Sequence, residues 1–271
     1  MGRPAAACPT EDGGPRSVAL LEVDDIGVRF GGVVALDGLS FSLEGGRICA
    51  LIGPNGAGKT TLFNVVSRIY EPRSGTVRFE GTDLLRLPAH RIADLGVART
   101  FQNLALVPGL SVLENVMVGA HARSRGGFWA SALRLPPVPS DERAVAMRAH
   151  GILERLSLDH LASRPCAGLP YGTLKRVEFA RALAGEPKLL MPVEPASGLT
   201  HGEVDELGEV IRQIRDEFAL TVLLVEHHMS MVMSISDQVV VMDLGRKIAE
   251  GVPAEVREDP RVIAAYLGAP A

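Results

Sequence analysis

Eight consecutive residues, Gly53-Pro54-Asn55-Gly56-Ala57-Gly58-Lys59-Thr60, follow the pattern G-x-x-x-x-G-K-[ST]. The chemistry such a run can perform is anion binding. Its glycines let successive backbone N–H groups converge on phosphate oxygens, and a helix beginning at the lysine points its positive dipole end at the same place. Lys59 would then hold the β- and γ-phosphates as a point cation, the Thr60 hydroxyl would offer an oxygen to Mg²⁺, and Thr61 completes the expected nucleotide-binding set. The pattern is informative only between a strand and a helix. Both are expected here, from the apolar run 47–52 (RICALI) and from a helix over 59–68. The residues point to a site for ATP or GTP with Mg²⁺.

The elements that must hold this loop can be read on either side of it. Upstream, 20–30 (LLEVDDIGVRF), 33–36 (VVAL) and 39–43 (LSFSL) read as short strands separated by Gly-rich turns. Short strands are expected again at 75–80 and 96–100. From 111 to 160 the apolar spacing becomes helical, as in SVLENVMVGA and ERAVAMRAHGILERLSL, around a Gly/Pro-rich connection that carries Trp129. Helices over 174–184 and 202–218 then alternate with strands at 188–193, 220–225 and 238–242. A hairpin-like piece through 248 and two short helices follow. This pattern predicts an α/β fold: a parallel nucleotide-binding core with an antiparallel β patch and a helical insertion.

Composition narrows the class. Of 271 residues 46% are apolar, enough for a real core, and 28 basic against 32 acidic side chains leave a net charge of -4, so a dedicated nucleic-acid binder is not expected. Cys8, Cys49 and Cys166 lie far apart and read as reduced thiols rather than a metal cluster. Residues 1–17 lack the apolar run of a signal peptide and read as a disordered tail, as do 269–271. Apolar runs such as 218–225 (FALTVLLV) suit buried strands and are far below spanning length.

Several phrases beyond the phosphate loop occur in a telling order: TFQN at 100–103, LPYGTLKRVEFARAL from Leu169, PKLLMPVEPASGLT directly after it, and LLVEHHM ending a strand before His227. In that order and at those spacings, residues 18–268 resemble the ATPase subunit of ABC transporters. RTFQN, VPGLSVLENVMVGAH and EVREDPRVIAAYLG resemble more narrowly the branched-chain amino-acid ATPases of the LivG type. The resemblance implies a P-loop ABC ATPase core with a helical subdomain at about 111–185. It implies that Phe30 stacks on adenine and that Gln102 reaches Mg²⁺ or its water while sensing the membrane partner. It also implies that Glu194 polarises the attacking water and that His227 contacts the γ-phosphate. The implied partners are transmembrane permease subunits and a second ABC ATPase subunit, in a homo- or heterodimer peripheral to the cytoplasmic face of the membrane.

Four positions depart from the resembled pattern. Val193 stands where that pattern has Asp before the catalytic Glu, so a carboxylate that would orient metal-bound water is missing, and Pro192 beside it removes a ladder donor from a central strand. Pro170 replaces the serine of the signature, and Thr200 replaces an Asp or Asn. The reading is an energy-coupling ATPase importing branched-chain or related amino acids. The alternative is a degenerate subunit that binds nucleotide and leans on a partner ATPase for hydrolysis. A soluble ABC protein of translation or repair fits less well, since the chain has one nucleotide domain and no basic surplus.

Overall fold

The computed structural model describes residues 19–100, 104–120 and 138–267. Gln102, Trp129, Cys8 and both expected tails lie outside the described residues. Within them, ten strands form two sheets. An antiparallel sheet has the order β2 (Val33–Glu44), β1 (Ala19–Phe30), β4 (Ser74–Phe79), β5 (Thr82–Asp83). The second sheet runs β10 (Arg246–Gly251), β9 (Gln238–Asp243), β3 (Ile48–Ile52), β8 (Thr221–Val225), β7 (Leu189–Met191), β6 (Val97–Arg99). Its pairings are parallel from β9 to β6, and β10 closes the edge antiparallel.

The residues of β3 and β8 are buried without alternation, ICALI and TVLLV, because both faces of this sheet are covered. On one face Ile48, Ala50, Ile52, Val222 and Leu224 pack against helices α2 (Val112–Gly119), α3 (Val138–Arg155), α4 (Tyr171–Leu183), α5 (His201–Phe218) and α6 (Met229–Ile235). On the other face Leu51, Met191, Leu223, Val225 and Val240 meet α1 (Lys59–Val66) and the antiparallel sheet. The chain ends in α7 (Pro253–Glu258) and α8 (Pro260–Leu267), and no described helix is long and apolar enough to cross a membrane.

Three expectations change in detail. The segments 33–36 and 39–43 are one strand, since Gly38, at φ +69°, absorbs an irregularity in the register between Leu36 and Leu39 instead of turning the chain. The strand expected over 188–193 stops at Met191. Pro192 interrupts it, and the ladder resumes one residue on, where Val193 bridges Val225. There the Val225 N–H still donates to the Pro192 carbonyl at 3.0 Å and the Glu194 N–H to the Val225 carbonyl at 2.8 Å, so the proline loses only the bond its ring nitrogen cannot give. The helix expected at 174 starts at Tyr171, because Pro170 at its N-cap has φ -54°, already near helical values. Cys49 and Cys166 are buried free thiols, and burial, with the charge of Glu250, pushes the Cys49 thiol up.

Candidate functional site

The loop between β3 and α1 has the conformation its sequence requires. Gly53 (φ +149°) and Gly58 (φ +100°) have no room for a side chain: a Cβ would lie 2.1 Å from the Met242 carbonyl oxygen and 2.5 Å from that of Ala35. α1 starts at Gly58 with no side-chain cap and no acidic residue in its first turn, which leaves its N-terminal N–H groups for an anion. Thr60 at that end is exposed, with Asn55 and Gly56, while Ala57 is buried against the core and Thr61 is half-buried. Lys59 lies beneath the loop, 6% exposed, and its ammonium donates to the carbonyls of Gly53 at 2.6 Å and Pro54 at 2.9 Å. Burial lowers its pKa, and the negative charge of Glu194 works the other way. The loop follows β3 and Glu194 follows β7, and with β8 between them these parallel strands end at the same edge of the sheet.

Glu194 and His227 come from adjacent strand ends, the first just after β7 and the second just after β8. The His227 Nε2 lies 3.0 Å from the Glu194 Oε1. Glu194 has φ +46°, uncommon for a side-chain-bearing residue, and is held there by its N–H to Val225 and by the Ser197 N–H donating to its carbonyl at 3.1 Å. Both side chains are partly open to solvent, as groups that meet a ligand must be. The pair can orient a water and a proton beside a phosphate held by the loop. Phe30 ends β1 46% exposed, its ring 5.0 Å from that of Tyr70 in an edge-to-face contact at 70°, so one face is available for stacking.

The departures read in the sequence are also placed. Val193 is 7% exposed and belongs to the buried apolar cluster on the α1 face of the sheet, which also holds Ala57, Leu62 and Phe63. The valine adds an apolar side chain to that cluster where an aspartate would have offered a carboxylate. Among the described residues no group of three or more His, Cys, Asp or Glu side chains could hold a metal ion. Thr60 presents an exposed hydroxyl at the loop; a hard cation with so few protein oxygens would be one brought in by phosphates rather than caged by protein. Thr200 keeps a capping role despite its change of type: its N–H and hydroxyl both donate to the Glu203 carboxylate, at 2.9 and 2.7 Å, at the start of α5.

One residue of the site was not singled out by spacing. Glu226, between β8 and His227, is 1% exposed. Its signal was present in LLVEHHM: a carboxylate directly after four buried apolar residues must find donors or remain in solvent.

This fold and loop define an ATP-binding cassette. Residues 36–197 match the family described as "ABC transporter", and 246–271 match that described as "Branched-chain amino acid ATP-binding cassette transporter". The chain belongs to the ABC transporter ATPase family and is an energy-coupling, ATP-binding subunit. It is 41% identical over 249 residues to the high-affinity branched-chain amino acid transport ATP-binding protein BraF of Pseudomonas aeruginosa, covering 92% of this chain and 98% of that one. It is 40% identical over 252 residues to the corresponding LivG of Escherichia coli, covering 93% and 99%. A crystal structure of a nucleotide-free ATP-binding cassette from an ABC transporter superposes with TM-score 0.80 at 32% identity, covering 93% of this chain and 100% of that chain. An ADP-bound-conformation cassette gives 0.81, also at 32%, covering 93% and 99%.

Proposed function

We propose that this subunit drives import of branched-chain or related amino acids from the cytoplasmic face of a membrane, bound to permease subunits and paired with a second ATPase subunit. The observation that carries the ATP-driven part is that the loop with its uncapped helix N-terminus and the Glu194–His227 pair follow the neighbouring parallel strands β3, β7 and β8 at one edge of the sheet. Lys59 would leave the Gly53 and Pro54 carbonyls for the β- and γ-phosphates, Phe30 would stack on adenine, and Glu194 would take the proton of an attacking water while His227 meets the γ-phosphate. Mg²⁺ bound with ATP would neutralise phosphate charge, with Thr60 and, by resemblance, Gln102 as its protein contacts. Support for the cargo comes from the names of the relatives and from the match of the C-terminal segment.

Two measurements test this reading. In calorimetry, Lys59→Ala should remove most of the ATP affinity, because it takes away a buried cation aimed at phosphate; equal affinity in variant and parent would reject the assignment of the loop. In vesicles carrying the whole transporter with ATP on the cassette side, labelled leucine, isoleucine and valine should accumulate. Accumulation of urea instead, with none of the three, would reject the cargo.

A second reading follows from Val193: a site that binds Mg-ATP and turns it over slowly. In a dimer of unlike ATPases, the faster hydrolysis would then take place at the partner's phosphate loop.

A further inference from the structure

Glu226 is the most deeply buried acidic side chain among the described residues, 1% exposed, and the ATPase reading gives it no task. Its two oxygens serve two different loops. Oε1 accepts the Ala196 N–H at 2.8 Å, in the turn that follows Glu194. Oε2 accepts the N–H groups of His227 at 2.7 Å and His228 at 3.1 Å, at the bend between β8 and α6. A buried charge is tolerated only when its acceptor sites are filled, so separating the two loops would strand a carboxylate oxygen in the interior. The carboxylate therefore works as a clamp whose jaws are the backbone of the Glu194 loop and the backbone of the His227 loop.

The first jaw reaches further. Ala196 is fully buried, its carbonyl accepts the Leu199 N–H at 3.1 Å, and Gly198 between them has φ +83°. A Cβ on Gly198 would lie 3.5 Å from the ring of Tyr171, the first residue of α4. One carboxylate thus touches the backbone of His227 on one side. On the other it holds a turn that abuts the altered signature.

We propose that Glu226 is a positioning residue: it fixes the Glu194–His227 separation and links that pair to the 196–200 turn against Tyr171, without touching nucleotide itself. The consequence for turnover rests on the roles given above to Glu194 and His227; the clamp itself does not. Glu226→Gln keeps size and shape but puts an NH₂ against an N–H donor at one of the two loops. Glu226→Asp keeps the charge but is one methylene short of spanning both.

Amide hydrogen exchange of the purified chain tests the clamp. In both variants exchange should speed up together in 194–200 and 226–230, with 53–61 unchanged; faster exchange in only one of the two segments, or in neither, overturns the proposal. Single-turnover hydrolysis tests its use. ATP affinity should stay within about twofold while turnover falls on the order of tenfold or more, since small misplacements of reacting groups carry costs of that size. The double variant Glu226→Gln/His227→Ala should be no slower than His227→Ala alone. Multiplying losses, or a parallel loss of ATP affinity, would reject a role through His227. A His227→Ala chain with parental turnover would refute the role given to His227, and the exchange experiment would still decide the clamp.

Discussion

Val193 and Glu194 are neighbours with opposite surroundings, and the difference sets what the site can do. Glu194 turns to a half-open position beside His227, while Val193 points into the apolar cluster under the phosphate loop. Mg²⁺ prefers octahedral oxygen ligation and keeps several waters, so a nearby carboxylate chiefly fixes their orientation. Without one, Thr60 and the phosphates would hold the ion in the proposed site with its waters less firmly oriented. Loss of a well-placed electrostatic group commonly lowers turnover roughly a hundredfold. Val193→Asp should therefore raise turnover of the isolated chain, more so with Pro192→Leu, which returns the missing ladder donor. Glu194→Gln on that background should abolish the gain, as steady-state phosphate release will show. Parental turnover equal to that of Val193→Asp would mean that the aspartate position does not limit this chain.

At the scale of elements, the helical layer depends on a few close backbone approaches. α2 meets α4 at Gly119, where a Cβ would fall 1.9 Å from the Arg181 carbonyl oxygen, backbone that cannot swing aside as a side chain could. α2 is otherwise held well at its start, where Ser111 and Glu114 form a reciprocal cap whose hydrogen bonds keep the Glu114 carboxyl below its usual range. Gly119→Ala must therefore push the helices apart, at a cost of about 1–3 kcal/mol, typical of overpacking. Urea denaturation should show a lowered midpoint. Gly202→Ala, in the first turn of α5 with open space around it, should leave that midpoint nearly unchanged. Equal midpoints for the two variants would show that α2 and α4 separate without penalty.

For the whole molecule, the parallel sheet, covered on both faces, puts the phosphate loop and the Glu194–His227 pair after the ends of its strands. The helices of 112–119, 138–155 and 171–183 form a lobe on one face of that sheet. We expect permease subunits to contact the region 111–160, with Gln102 at its hinge, because a lobe lying between loop and signature in sequence has room to meet a membrane partner and to relay nucleotide state. Photo-crosslinkers placed on the permease should label 111–160. Labelling confined to 253–271 would refute this.

The phosphate loop was legible in the chain alone because its chemistry is local: glycine spacing, the lysine and the following helix all lie within a dozen residues. The strand order of the parallel sheet was not, since β3 pairs with β8 and β9 across more than 150 residues and no local pattern encodes that choice. The valine at 193 was visible as a departure, but only the packed sheet shows that it is buried in the apolar cluster on the α1 face. Pro192 looked incompatible with a central strand until the ladder showed a one-residue interruption with Val193 paired again beyond it. Glu226 marks the same boundary from the other side. Its type and place were plain in LLVEHHM, yet the partner that gives it meaning, the Ala196 N–H, is 30 residues away and arrives only when β7 and β8 lie side by side. Sequence determines chemistry carried by near neighbours; contacts between distant backbone segments exist only once burial of the apolar strands has brought them together.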